Sequence, residues 1–289
     1  MIDIVGIAPS LVRDDEGIWC APARVAVSYP DDGHAECFAV EERSFWFQHR
    51  NRCIAALVGR FPPPGGGPVF DIGGGNGFVA RGLADAGFGV VLVEPGREGA
   101  RNARRRGLEQ VICATSHAAG FAPASLPAIG LFDVIEHIED DQSFVCDMSA
   151  LLQRQGRLYA TVPAHRWLWS EEDDLAGHHH RYSLNRFCQL LQRAGLEVEF
   201  ASYYFSLLPL PIAMMRALPY RLGWRKRGKA ADRGQREHAT GGGVASRALT
   251  ALLDREGRRL GAGKPMAYGA SCLVVARLNS EPFNPTPGT

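Results

Sequence analysis

Between residues 68 and 162 the chain alternates short apolar runs with longer amphipathic stretches. The runs at 68–72, 90–93, 111–114, 129–135 and 157–162 are too short for buried helices and are bounded by turn residues, so they predict strands. The run at 129–135 is unbroken enough to be covered on both faces. Stretches 78–86, 98–106 and 141–155 read as helices, stopped by Gly87, Gly107 and Gly156. This alternation predicts an α/β protein with a doubly wound, mainly parallel sheet.

The flanks are less regular. Residues 2–7 and 24–28 have β-type composition between Pro, Asp and Gly turns. Trp46, Cys53, Ile54, Leu57, Val58 and Phe61 then recur at helical spacing until the Pro/Gly cluster at 62–67 ends the helix. Further on, Ser183 caps a helix with Leu184, Phe187, Cys188 and Leu191 on one face, and Gly195 stops it. Residues 196–202 and 271–277 read as the sixth and seventh strands. The organisation that follows is an N-terminal extension with a flanking helix (1–64), a core (65–205), an apolar and basic insertion with a helix (206–267), the final core strand (268–281) and a frayed tail (282–289). The insertion's helix follows Gly241-Gly242-Gly243 and carries Val244, Ala248, Leu252 and Leu253 as its apolar stripe.

Composition narrows the picture further. The chain has 289 residues, is 46% hydrophobic and 22% charged, and carries a net charge of +1. Such values exclude extended disorder and fibrous repeats, and they give no reason to expect nucleic acid as a partner. The seven cysteines include no C-x-x-C pair, so neither a disulfide framework nor a zinc ribbon is expected. With no basic region leading into an apolar run at the start, the expected location is cytoplasmic. The average charge hides a local contrast. Residues 200–215 are uncharged, and eight Arg and Lys side chains follow between Arg216 and Arg236. Sixteen residues with two prolines are short for a membrane span, but an interfacial element with a cationic flank, using residues 203–236, is physically reasonable. Equally, this segment can cover an apolar acceptor pocket.

The first strand runs into Asp71-Ile72-Gly73-Gly74-Gly75-Asn76-Gly77, and the second ends in Glu94. Glycines there let the backbone turn sharply and approach a ligand, and a carboxylate after strand two can accept both hydroxyls of a ribose. Phe78 stands where a dinucleotide fingerprint wants its third glycine, which argues against an NAD(P)-dependent oxidoreductase, the alternative enzyme class. A non-catalytic cofactor-binding or membrane-docking module is the alternative outside enzymes.

On residues 69–77 with Glu94, and on Leu131-Phe132-Asp133-Val134-Ile135-Glu136-His137-Ile138, the sequence resembles the class I S-adenosylmethionine-dependent methyltransferases. The second stretch looks most like the type 11/12 and quinone O-methyltransferases. The resemblance covers residues 65–200 and the final strand, and it implies a Rossmann-like fold of seven strands with S-adenosyl-L-methionine as cofactor. By that resemblance Gly73, Gly75 and Gly77, with Gly74 and Asn76 in the same loop, surround the methionine part. Asp71 fixes the loop or the amino group, Glu94 holds the ribose, and Asp133 borders the same site. Family members often place an acid after strand three for the adenine. Here the stretch is Cys113-Ala114-Thr115-Ser116-His117, which leaves Thr115, Ser116 or backbone carbonyls for that task.

Methyl transfer needs alignment above all, with a base where the acceptor is a hydroxyl. Residues after strands four and five are placed for this at the carboxyl edge of the sheet. Asp133, Glu136 and His137 follow strand four, and in quinone-type relatives such a cluster acts as base or divalent-metal ligand, the mixture of hard oxygens with an imidazole permitting either. After strand five, His178, Arg181 and Tyr182 match a D-x-x-x-G-H-x-x-R-Y-[ST] stretch that relatives carry as an acceptor-site lid, with His178 favoured as base or orienting group. Adjacent histidines point apart, so the run at 178–180 predicts no metal site. The acceptor expected is a small, lipophilic molecule, with O-methylation favoured. Phe45, Trp46 and Arg50 on the N-terminal helix are candidates to close over the cofactor.

Overall fold

The computed structural model describes residues 3–22, 38, 41, 42, 44–224 and 244–279. The seven strands predicted from apolar runs all form, two of them with shifted bounds: β3 (Val69–Ile72), β4 (Val90–Val93), β5 (Val111–Cys113), β6 (Leu126–Phe132), β7 (Leu152–Pro163), β8 (Leu196–Tyr204) and β9 (Ser271–Leu278). Two more, β1 (Val12–Arg13) and β2 (Trp19–Cys20), precede them. Among the described residues the sheet therefore has nine strands, in the order β1-β2-β5-β4-β3-β6-β7-β9-β8, not the seven expected. The extra pair is a hairpin added beside β5, where Trp19 pairs with Ile112. Strands of two residues leave no periodic signature, which is why the pattern missed them. Asp14 organises that turn, accepting from the backbone N–H of Ile18 at 2.8 Å and of Glu16 at 3.0 Å.

Pairing is parallel from β2 through β7 and antiparallel at both ends. The chain leaves β3 for β4 and β5 on one side, then returns to place β6 and β7 on the other. The crevice of a doubly wound sheet lies at this reversal, between the carboxyl ends of β3 and β6.

Helices cover both faces: α1 (Ile4–Ile7), α2 (Phe45–Arg60), α3 (Phe78–Asp85), α4 (Arg97–Arg105), α5 (Asp141–Leu151), α6 (Glu171–Ala176), α7 (Leu184–Arg193), α8 (Pro209–Ile212), α9 (Leu218–Arg221) and α10 (Val244–Gly261). Alternate strand residues feed separate cores. Phe70, Ile72 and Val274 pack with Val145 of α5 and Phe187 of α7, while Val69, Leu273 and Val275 pack with Leu57 of α2, Leu83 of α3 and Leu253 of α10. Each such buried side chain contributes roughly 1.5–3 kcal/mol.

Three predicted elements are corrected. Residues 4–7 form one helical turn instead of a strand, because Asp3 Oδ1 accepts from the N–H of Gly6 at 3.0 Å and caps it. The fourth core strand lies at Leu126–Phe132, three residues earlier than its apolar run suggests, because Asp133 adopts φ 58° and turns the chain away. Helix α5 ends at Leu151, and Leu152 already opens β7. The expected strand at 24–28, the basic residues 225–236, the glycines 241–243 and the tail 282–289 lie outside the described residues.

The uncharged stretch divides in two. Tyr204 and Phe205 are fully buried at the end of β8, whereas Leu210, Met214 and Met215 are 60–70% exposed on the helical segment 209–221. Glu256 on α10 anchors the turn between these parts. It accepts from the N–H groups of Phe205 (2.6 Å) and Ser206 (2.9 Å) and lies 2.8 Å from His49 Nε2 on α2. Among the described residues, no helix is long and apolar enough to cross a membrane.

Candidate active site

Strand β3 delivers Asp71 and then the glycine loop. Gly75 and Gly77 take φ 54° and 76°, the left-handed region that costs glycine nothing. Their surroundings differ. A Cβ on Gly77 would sit 2.7 Å from Leu108 Cδ1 and 2.9 Å from Ala103 Cβ, so this glycine allows α3 and α4 to pack closely. On Gly74 it would strike Leu92 and the Asp71 carboxylate, and on Gly73 it would press on Val134 at 3.0 Å. On Gly75 it would meet nothing within 4 Å, so the loop presents open backbone there. The Gly75 N–H donates to Glu94 Oε2 at 2.8 Å, and the Gly96 N–H donates to Oε1 at 2.6 Å. Asn76 is turned inward, accepting from Asn102 Nδ2 at 3.0 Å. Thr115 Oγ1 accepts from the Ala118 N–H at 3.1 Å, closing the turn after β5, and Ser116 beside it is half-buried.

Around the sheet's reversal the buried charge is mostly negative. Asp71 and Glu136 are each 1% exposed, and each has one carboxylate oxygen with no hydrogen-bond partner. Burial pushes the Asp71 carboxyl up to about 7, with Arg50 opposing and Glu94 adding to the shift. Burial also raises Glu136 well above the carboxylate range, and neighbouring Asp133 raises it further. Arg50 is the cation that faces this group: its Nε lies 3.1 Å from Asp133 Oδ2, and Nη2 donates to the Phe132 carbonyl at 3.1 Å. Thr161 Oγ1 donates to the other Asp133 oxygen at 2.9 Å. Trp46, stacked on Phe205, lies under the Arg50 guanidinium.

A second constellation is built by the loop after β7. Ser170 and Asp173 form a reciprocal capping box at the start of α6, which buries the Asp173 carboxylate. Asp173 Oδ1 lies 2.8 Å from His178 Nδ1 and accepts from Arg181 Nε at 2.7 Å. Burial alone would raise Asp173, but the bonds from His178, Arg181 and Ser170 outweigh it and hold the carboxyl below its usual range. His137 stands edge-on to the His178 ring, 4.8 Å between centroids, and burial lowers it to about 4, so it stays neutral. Glu136, His137 and His178 each bring one ligand-type atom within 4.8 Å of the others. Such a trio can pass a proton, and it also has the donor chemistry for a divalent ion. His178 and Arg181 open onto a cleft of about 680 Å³ whose wall includes Trp167 and Trp169.

A family model described as a methyltransferase domain matches residues 46–200. The chain belongs to that methyltransferase family. No curated protein matches it. Solved structures share its fold at low identity. A Haloferax volcanii protein in complex with the Trm112 methyltransferase activator is 16% identical, with a TM-score of 0.54 over 88% of this chain and 97% of that one. Phosphoethanolamine N-methyltransferase 2 of Haemonchus contortus, in complex with S-adenosyl-L-methionine, is 18% identical with a TM-score of 0.51; the alignment covers 88% of this chain and 58% of that one. The [4+2]-cyclase SpnF is 16% identical, with a TM-score of 0.52 over 91% of this chain and 88% of that one.

The methyltransferase uses S-adenosylmethionine, and the residues present fit that donor. Its sulfonium and ammonium groups are cationic, and the reversal of the sheet offers Asp71, Glu94, Asp133 and Glu136 against Arg50. Asp71 Oδ2 is buried and unpartnered, and the open face of Gly75 leaves backbone accessible beside it. Of the residues singled out from sequence, Asp71, the glycines, Glu94 and Asp133 gather at the reversal of the sheet, while Glu136 and His137 join His178 and Arg181 beside the cleft. Tyr182 does not open there: it is fully buried, and its hydroxyl donates to Asp141 Oδ2 at 2.8 Å. Asp173 was not singled out. It sits among four consecutive acids, although the first position of the D-x-x-x-G-H-x-x-R-Y-[ST] stretch falls on it and the serine three residues before it hinted at a capping box.

Proposed function

We propose that this methyltransferase moves the donor's methyl group to an oxygen of a small acceptor held in the cleft beside His178. The observation that carries this reading is the 2.8 Å contact between His178 Nδ1 and the buried Asp173 carboxylate. A carboxylate on Nδ1 selects the tautomer with its proton there, which leaves Nε2 as the lone pair able to accept the acceptor's hydroxyl proton. S-adenosylmethionine supplies an already activated methyl group, so the remaining task of the chain is alignment.

In this reading Asp71, Gly73, Gly74, Gly75, Asn76, Gly77, Glu94 and Asp133 form the donor site, with Thr115 and Ser116 at its adenine end. Arg181 positions Asp173, and Tyr182 fixes the loop to α5. Glu136, raised and buried, and neutral His137 border His178, with the His137 ring edge-on to it, and fix its orientation. The exposed Leu210, Met214 and Met215 seat the enzyme on a membrane surface from the cytoplasmic side, bringing a lipophilic acceptor within reach.

Calorimetric titration with S-adenosylmethionine tests the donor site: wild type binds, and Glu94→Ala weakens binding by at least about tenfold. A screen of cell extracts for methyl acceptors tests the base, with S-adenosylhomocysteine formation as readout. Turnover unchanged in His178→Ala would remove His178 from the mechanism.

A further inference from the structure

Three guanidinium groups from separate elements converge on the cleft with no carboxylate to balance them. Arg166 lies in the turn Arg166–Leu168 after β7, Arg186 in the first turn of α7, and Arg221 at the end of α9. Among the described residues, none of the three makes an ion pair, whereas Arg181, the fourth arginine of the cleft, is held by Asp173 at 2.7 Å. Among the described residues, no acidic side chain lines the cleft.

The acids nearby in sequence are engaged elsewhere. Asp174 accepts from Trp169 Nε1 at 2.9 Å and from the Tyr220 hydroxyl at 2.5 Å. Glu172 faces Arg216 at 3.7 Å, and Asp141 accepts from Tyr182. These bonds position the aromatic wall and leave the three guanidiniums without a carboxylate among the described residues, Arg186 meeting only the neutral ring of Tyr182 at 5.6 Å. Solvated arginines are ordinary on a convex surface. Here they share one concavity, in a chain whose net charge is only +1, so the positive field is local.

We infer that the methyl acceptor is a phosphate ester, its phosphoryl oxygens held by Arg166, Arg186 and Arg221. This rests on the cleft being the acceptor site. A single carboxylate neutralises one positive charge, whereas a phosphate monoester carries about −1.5 to −2 at pH 7 and three acceptor oxygens, which matches several guanidinium forks. Trp167 and Trp169 offer apolar faces to the organic part of the same molecule. A water-soluble phosphate monoester and a lipid that ends in a phosphate monoester share this chemistry.

Titration calorimetry on the full chain loaded with S-adenosylhomocysteine separates the possibilities. The probes are glycerol 3-phosphate, decyl phosphate and, as neutral counterparts, glycerol and decyl glucoside. At least one phosphate ester should bind about tenfold or more tighter than its neutral counterpart and lose that advantage in the triple variant Arg166→Gln, Arg186→Gln, Arg221→Gln, with S-adenosylhomocysteine affinity unchanged. Preference for glycerol 3-phosphate identifies a soluble acceptor, and preference for decyl phosphate identifies a lipid. Equal binding of charged and neutral probes, no binding of either ester, or an advantage that survives the triple variant overturns the inference. Failure of S-adenosylhomocysteine itself to bind counts instead against the methyl-transfer reading, and titration of the esters into the unliganded chain still decides the cleft.

Discussion

Arg50 on α2 and Asp133 after β6 meet with Nε 3.1 Å from Oδ2, at the point where the sheet changes direction. The pair joins the segment before the glycine loop to the turn that opens at φ 58°, and it places one positive charge among Asp71, Glu136 and Asp133. Removing it leaves those acids uncompensated. Arg50→Ala should lower the unfolding free energy by roughly 2–4 kcal/mol, a little under the cost of breaking a fully buried pair. Asp133→Asn should cost less, since Asn tolerates the left-handed backbone and leaves Arg50 facing the other acids. Urea unfolding of the two variants checks the order, and a smaller loss in Arg50→Ala would contradict this account of the buried charge.

Stability without donor should depend on pH through Asp71. Its carboxyl protonates near 7 when folded and near 3.8 when unfolded, so the folded state binds more protons between those values. Stability therefore falls as pH rises through that range. His137 acts in the opposite sense: held to about 4 against 6.5, it makes stability rise between those values. From about pH 6.5 to 7 the Asp71 effect dominates, and Glu136, whose carboxyl burial also raises, acts in the same direction. Melting temperature in this window should drop for wild type and drop less for Asp71→Asn.

Asp173→Asn should retain donor affinity within about twofold and lose at least about 100-fold in kcat, because the amide no longer selects the His178 tautomer. An equal fall in donor affinity would assign Asp173 to the fold of the loop alone.

Leu210→Ser with Met214→Ser should reduce co-sedimentation with vesicles containing anionic lipid, by about tenfold if the exposed face inserts. Calorimetric affinity for S-adenosylmethionine should not change. Equal partitioning of the variant and wild type would leave these side chains without a membrane role.

Much of the core was legible because its signals are local. Val90–Val93 forms a strand as its composition requires, and the loop from Gly73 to Gly77 could be placed from one stretch of chain. The start of β6 was misplaced because hydrophobicity does not encode the dihedral angle at Asp133, and Val134 and Ile135 continue an apolar run that the strand has already left. Asp173 stands at the head of the D-x-x-x-G-H-x-x-R-Y-[ST] stretch, but its role among four consecutive acids became visible only through its burial. Arg166, Arg186 and Arg221 are distant in sequence, and only the fold makes them neighbours of one cleft.

Strand β9 lies between β7 and β8 and pairs antiparallel with both. It is the last of the nine strands in chain order, and its partner residues in β7 precede it by more than 100 positions. During synthesis, β8 and the edge of β7 away from β6 must therefore wait for residues 271–278 before either gains its neighbour. Such distant pairing closes slowly. Until it does, two hydrophobic strand edges stand open to other chains, so growth temperature and chaperone supply should govern the yield of soluble enzyme more than its final stability does.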